Sequence, residues 1–216
     1  FNKLIGELKD GEYDQMVTQM ILRTQAQAIY SEENLGHFGL NLVRYAHFTS
    51  PIRRYADTIV HRALISALKL GPDGLSREAA SQLEQTAQHI SDTERRSMAA
   101  EREATDRYLA IFLKDRVGVE FDGRITGVTG SGLFVQLAGI GADGFIPIST
   151  ISKDYWVQDE AAMALYARGS GDTYSLGQIV RVKLKEVTPL QGGLLLQMLS
   201  DPMPAPEGRQ EHRRKR

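Results

Sequence analysis

The chain has 216 residues, of which 42% are hydrophobic and 25% charged, and its formal net charge is −1. This composition excludes wholesale disorder, and so muted a charge does not by itself announce a nucleic-acid partner. No apolar run approaches the roughly 18 residues of a membrane-spanning helix, so no membrane partner is expected. The absence of cysteine removes disulfides, thiolate metal sites and a Cys nucleophile, and fits a cytoplasmic setting. The opening Phe1-Asn2-Lys3-Leu4-Ile5-Gly6 lacks the basic-then-apolar pattern of a signal peptide. A first residue other than Met reads as a piece of a larger protein or a processed product.

Residues 1 to about 30 read as helical, with Met16, Val17, Met20, Ile21 and Gln25 on one face. Gly36 and Gly39 then punctuate a loop or short strand. Pro51 restricts Ser50 to extended geometry, so a helix is predicted to begin just after it. That helix carries Tyr55, Ile59, Val60, Ala63, Leu64, Ala67 and Leu68 at core spacing, and Gly71-Pro72-Asp73-Gly74 stops it. A second long helix is predicted over 76–114. Ser91-Asp92-Thr93-Glu94, which has the form of a capping box, marks a possible break in it.

The composition changes at Arg116. Short β-branched runs at 117–128, 132–137, 144–148, 178–187 and 193–198 alternate with glycines and predict a small antiparallel barrel. Residues 201–216 hold three prolines and end in Arg213-Arg214-Lys215-Arg216, the composition of a disordered basic tail.

The densest cluster of unusual residues runs from His47 through Phe48-Thr49-Ser50-Pro51-Ile52-Arg53-Arg54-Tyr55-Ala56-Asp57 to His61-Arg62. An extended segment leading into a helix start gathers backbone N–H groups, hydroxyls and guanidiniums, an arrangement suited to a phosphate. Paired arginines offer bidentate grip where lysines offer only point charge. Taken as charges alone, the stronger reading is that Arg53 and Arg54 are solvated or paired with Asp57. His37, His47 and His61 lack the helical spacing of a zinc pair, so no metal site is expected among them.

This stretch closely resembles the signature of the ribonuclease II/ribonuclease R (RNB) family, and nearest to it the ribonuclease R branch. The resemblance rests on Gly36-His37-Phe38-Gly39-Leu40, on residues 45–57 and on Val60-His61-Arg62. It extends upstream to residues 22–30 and downstream to Met98-Ala99-Ala100-Glu101-Arg102 and Phe112-Leu113-Lys114-Asp115. It implies an enzyme that degrades RNA processively and hydrolytically from the 3′ end to 5′-nucleoside monophosphates. Arg53 then corresponds to the arginine that holds the phosphates near the scissile bond, and Glu101 to the acidic residue near the 3′-terminal nucleotide. His47, Thr49, Ser50, Arg54 and Tyr55 would line or support the RNA channel, while Asp57 reads as a helix-start or salt-bridge residue.

The family's hydrolysis uses Mg²⁺ held by clustered aspartates. Before Asp57 this chain has only Asp10 and Asp14, so no metal ligand is assigned to it. The ligands are expected in a missing N-terminal part, together with the family's cold-shock domains. That absent catalytic half and RNA, single-stranded or structured, are the expected partners.

The second half resembles an S1 RNA-binding domain. The matching residues are Gly123-Arg124-Ile125-Thr126-Gly127-Val128, Gly132-Leu133-Phe134-Val135-Gln136-Leu137, Asp143 through Ser149, and residues 176–184. Such barrels stack bases on aromatics and run the backbone along basic side chains. Phe121, Phe134 and Phe145 are candidate platforms, with Arg124, Arg181, Lys183 and Lys185 as phosphate contacts. Core packing is an equal reading for Phe134 and Phe145, because a strand buries alternate residues. Ser131 and Pro147 replace an aromatic and a His usual in the motif. Over 116–200, seven Lys/Arg stand against eight Asp/Glu, which gives the barrel no strong attraction of its own. Tyr155 and Trp156 fall in a long insertion, as local core or surface.

Together these readings predict an α+β chain. Residues 1–115 form the C-terminal helical and strand portion of an RNB catalytic domain, 116–200 an S1-type OB-fold β-barrel, and 201–216 a disordered tail. The alternatives are a non-catalytic single-stranded RNA-binding module or split subunit, and a fragment that folds only as half of a complex.

Overall fold

The computed structural model describes residues 27–204 together with Ile21 and Gln25. The predicted first helix falls almost wholly outside these residues. Its last few positions do not continue it: residues 27–30 are non-helical, and the Tyr30 N–H donates to Ser91 Oγ at 3.0 Å instead of to a carbonyl one turn back. The chain divides into two compact units, one comprising residues 24–100 and the other residues 1–23 with 101–216.

In the first unit, residues 37–42 close a small turn through a bridge between His37 and Leu42 and a 3₁₀ turn at Phe38–Leu40. Helix α1 (Tyr55–Leu68) follows, with Arg54 as its extended N-cap residue. It ends before the Gly-Pro segment, at Lys69, which adopts a left-handed conformation and donates its N–H back to the Ile65 and Ser66 carbonyls. The predicted core face of α1 is not buried: Tyr55, Leu64 and Leu68 are exposed, and the one buried residue of the helix is Asp57. Ile59, Val60 and Ala63 of that stripe are half-buried, and the rest of it is exposed.

Helix α2 (Arg77–Ser81) is capped by Ser76, whose hydroxyl accepts from the Ala79 N–H, and helix α3 (Leu83–Leu113) follows after Gln82. The break thus falls at Gln82, and α3 runs unbroken through Ser91. The capping box does not form because the Ser91 hydroxyl is otherwise engaged. It is buried within the helix, donates to the Ala87 carbonyl at 2.8 Å and accepts the Tyr30 N–H.

The second unit is built on five strands: β1 (Glu120–Thr129), β2 (Gly132–Leu137), β3 (Asp143–Pro147), β7 (Ile179–Thr188) and β8 (Gly193–Met198). They close into a barrel in the order β1-β2-β3-β8-β7, with β1 paired to β7. Every pairing is antiparallel except β3 with β8, which is parallel. The all-antiparallel expectation fails at that junction because a long excursion separates the two strands and β8 enters beside β3 running the same way.

That excursion folds into a second sheet that the sequence did not announce: β4 (Trp156–Asp159), β5 (Ala164–Ala167) and β6 (Thr173–Ser175). These strands are three or four residues long and carry little β-branched signal. Inward residues of both sheets, among them Leu133, Val135, Ile146, Leu165, Val182 and Leu196, form one core with Ala110 and Leu113 from the end of α3. Each fully buried aliphatic side chain contributes about 1.5–3 kcal/mol. No helix among the described residues is long and apolar enough to cross a membrane.

Candidate functional site

The basic motif folds as a turn tied down by the first two turns of α1. The buried Asp57 carboxylate accepts the Ser50 N–H at 2.6 Å and an Arg54 NH2 at 3.1 Å on Oδ1, while Arg54 Nε lies 3.0 Å from Oδ2. The Nε approach is too oblique for an aligned hydrogen bond. The Ser50 carbonyl accepts the N–H groups of both Arg53 and Arg54. Further along the helix, the Thr58 hydroxyl donates to the Pro51 carbonyl at 3.4 Å, and His61 Nε2 bonds the Phe48 carbonyl at 2.7 Å.

The two arginines are thereby separated in role. Arg54 is half-buried and neutralised by Asp57, as the charge-pair reading anticipated for one of them. Arg53 and Ile52 stand at the apex of the turn, exposed, and among the described residues the Arg53 guanidinium has no carboxylate partner. Thr49 and Tyr55 are exposed beside it.

His47 sits behind the turn, its Nδ1 3.4 Å from the Tyr30 hydroxyl and 3.9 Å from Asp57 Oδ2. Tyr30 and Tyr45 meet the imidazole edge-on, at 5.3 and 5.6 Å. Burial, and next the Arg54 cation, hold the His47 pKa below its ordinary value. Burial, and next the Glu94 carboxylate, push the Tyr30 hydroxyl up. For Asp57 burial alone would raise the pKa, but the Ser50 N–H and the Arg54 guanidinium overcome it and hold the carboxyl below its usual range.

Tyr30, Ser91 and Glu94 therefore belong to the support of the motif although sequence reasoning did not select them. Only the spacing of Arg54, Asp57 and His61, which places them on one face of α1, was available as a signal. Glu101 is an exposed residue of α3 and lies in the other unit.

Among the described residues, no three His, Asp or Glu side chains converge as metal ligands. Asp57 is committed to Ser50 and Arg54, and a cation placed on it would meet the adjacent guanidinium. The described residues do not fit a magnesium site. Asp10 and Asp14 lie outside them.

On the barrel, alternation settles which aromatics face outward. Leu133, Val135 and Leu137 point inward along β2, so Phe134 points out and is 42% exposed. Phe145 stands opposite it on β3, with ring centroids 5.1 Å apart. The neighbouring position on β1 is Gly127, where a Cβ would press on the Phe134 ring. Phe121 shares the inward parity of Gly123 and Ile125 and packs against the core, which sets it apart from the outward pair.

The candidate phosphate contacts are largely engaged. Arg124 donates to the Gly177 carbonyl at 2.8 Å, and Arg181 pairs with Glu120 at 3.0 Å. Lys183 lies across from Glu120 in register, and Lys185 is exposed on β7. Trp156 is buried, packs at a tilt against Tyr174 with ring centroids 5.3 Å apart and donates to Ser152 Oγ, so it is core. Tyr155 is surface, with the Arg168 guanidinium over its ring at 5.1 Å.

The RNB domain model matches residues 1–70, and the S1 RNA binding domain model matches residues 114–197. Ribonuclease R of Escherichia coli (strain K12) is 40% identical over 195 residues, covering 87% of this chain and 24% of that relative. Ribonuclease R of Aquifex aeolicus (strain VF5) is 42% identical over 183 residues, covering 85% of this chain and 26% of that relative. A solved structure of Mycoplasma genitalium RNase R in complex with ribose methylated single-stranded RNA matches with a TM-score of 0.84 and 31% identity. That match covers 90% of this chain and 31% of that one. The chain thus spans only 24% and 26% of the length of these two curated relatives. With RNB sequence leading into an S1 barrel and this likeness running across most of its residues, the chain belongs to the ribonuclease R family.

Proposed function

We propose that the chain is part of a processive 3′→5′ hydrolytic exoribonuclease of the cytoplasm, releasing 5′-nucleoside monophosphates. In this reading Arg53 grips the phosphate near the scissile bond, and the S1 barrel guides the incoming strand. The observation that carries it is the division of labour in the 47–57 motif. Asp57 neutralises Arg54 and leaves Arg53 presented at the apex of a pinned turn. A guanidinium held in place neutralises charge building on the phosphoryl oxygens without having to reorganise as the reaction proceeds. Glu101 acts near the 3′-terminal nucleotide. Thr49, Ser50, Tyr55 and the imidazole of His47 shape the channel.

The hydrolytic Mg²⁺ is held by residues outside the described part of this chain, in an N-terminal catalytic portion that also covers the exposed apolar stripe of α1. In the barrel, Phe134 and Phe145 supply the stacking surface, and Lys183 and Lys185 meet the backbone.

The test is Arg53→Ala in an enzyme of full family length carrying this chain. Turnover of single-stranded RNA is expected to fall on the order of 100- to 1,000-fold, the scale for losing one transition-state donor, with a far smaller change in RNA affinity. Equal losses in both would refute the assignment. The 216-residue chain alone is expected to bind RNA without cleaving it. Mg²⁺-dependent cleavage by it would place the metal ligands within the chain.

A further inference from the structure

The turn over residues 50–53 is held chiefly through the peptide of Ser50. The Ser50 carbonyl accepts two N–H groups, from Arg53 and Arg54, and the Ser50 N–H has Asp57 as its acceptor at 2.6 Å. Pro51 brings no N–H of its own, and its carbonyl takes only the Thr58 hydroxyl at 3.4 Å, so the approach to the apex leans chiefly on the carboxylate contact at Ser50 and the carbonyl bonds behind it. The same Oδ1 takes the Arg54 NH2 at 3.1 Å. Asp57 is fully buried, and a buried carboxylate is costly unless its partners are close and charged. A helix start that needed only an acidic residue in its first turn would be served by an exposed one. The burial here goes with a specific task.

We infer that Asp57 is the positioning residue for Arg53: by taking the Ser50 N–H and the Arg54 guanidinium together, it fixes the turn that presents Arg53 and withholds Arg54 from the same phosphate. The inference rests on the reading of Arg53 as a phosphate contact. It has a consequence that a purely structural carboxylate lacks. Asp57→Asn keeps the shape of the side chain but removes its charge, which loosens the turn and releases Arg54. The site then gains positive charge while losing its geometry. RNA should be held as well as before, or somewhat better, and cleaved far more slowly.

In an enzyme of full family length carrying this chain, Asp57→Asn is expected to lower kcat on the order of 100-fold, the cost of misplacing a positioned group by about an ångström, with KM unchanged or reduced. Arg53→Ala added to Asp57→Asn should cost little more than either change alone, because both remove the same contact. If Arg53→Ala by itself leaves kcat intact, the phosphate reading fails. If Arg53→Ala cripples kcat but Asp57→Asn leaves it unchanged, raises KM in parallel, or adds its loss in full to that of Arg53→Ala, the positioning role is overturned. Should Asp57→Asn not fold, Arg54→Lys takes its place. It keeps a cation beside Asp57 but removes the planar fork that orients the carboxylate. The same kcat-against-KM split and the same lack of additivity are then required, and additive losses overturn the proposal.

Discussion

Phe134 offers the sharpest separation of binding from folding in the barrel. Its ring lies outward beside Phe145 and over Gly127, 42% exposed, while its neighbours Leu133 and Val135 are fully buried. Truncation to Ala removes one face of the aromatic pair but opens no cavity in the core. The pair contributes about 0.5–1.5 kcal/mol beyond its area, so the stability loss should stay near that range. A stacked base is worth about 1–3 kcal/mol by alanine substitution, equivalent to about a 5- to 150-fold weaker Kd. The assay is fluorescence anisotropy of a labelled uridine oligonucleotide with the 216-residue chain at two salt concentrations, alongside thermal unfolding. Because stacking releases no counterions, the fold loss should be the same at both salts. Leu133→Ala is the contrast: it should cost about 2–5 kcal/mol of stability while the molecules that remain folded bind normally. Wild-type affinity in a folded Phe134→Ala chain, or a loss that merely tracks unfolding, would refute the stacking role.

Three further outcomes are expected. Trp156→Ala should destabilise the second unit by about 3–5 kcal/mol, seen as a lowered Tm, because the indole is buried against Tyr174; a neutral substitution would contradict its place in the core. Towards acid, stability should fall in two legs. His47 is held below its ordinary 6.5, so the unfolded chain takes up its proton first as the pH drops through 6.5. Asp57 lies below 3.8, so the stability it contributes is present above 3.8 and lost as the pH falls through its lower native value. His47→Gln should flatten the upper leg of the Tm profile and Asp57→Asn the lower, and a wild-type-like slope in either variant would contradict that. Towards alkali, burial raises Tyr174 to about 12, so its contribution is complete below pH 10 and is lost as pH rises through 12; Tyr174→Phe should remove that loss from the unfolding profile.

The barrel was legible in the sequence because its strands are short apolar-alternating runs set off by glycines, and β2 and β8 fall at the predicted bounds. The accessory sheet was not, since β4 to β6 are too short to show a period and are held by tertiary packing of Trp156, Leu165 and Tyr174. The break at Gln82 was displaced to Ser91 because a Ser-x-x-Glu string has the same spelling at a helix start and within a helix. What distinguishes them is whether the hydroxyl finds a carbonyl one turn back, as Ser91 does. Pairing of one arginine with Asp57 was readable from their spacing, but which of the two would pair was not, because that depends on where the turn places each side chain. The apolar spacing of α1 predicted a buried face, whereas Tyr55, Leu64 and Leu68 are exposed and Ile59, Val60 and Ala63 only half-buried, because periodicity marks apolar positions without saying what packs on them.

The disposition of charge explains how a chain of net charge −1 belongs to an RNA-directed family. On the outer face of β1 and β7, Glu120 and Asp122 stand across from Lys183 and Arg181, and Arg181 is bound to Glu120. In the 47–57 motif Arg54 is bound to Asp57. On the barrel Arg181 is paired with Glu120 and Arg124 is tied to a backbone carbonyl, while Lys185 is exposed; at the turn the balance is struck within one neighbouring pair and Arg53 is left over. With seven Lys/Arg against eight Asp/Glu over 116–200 the barrel gains little from long-range attraction, and the proposed stacking on Phe134 and Phe145, which releases no ions, would supply the larger share of its hold on a strand. The turn leaves Arg53 as its one cation without a carboxylate partner among the described residues, and the proposed reading sets a single phosphate against it. On that reading the salt dependence of the 216-residue chain includes about 0.7 of slope for each phosphate contact at Arg53, Lys183 and Lys185, and Arg53→Ala should remove one such increment. A slope left unchanged by Arg53→Ala would mean that Arg53 meets no phosphate.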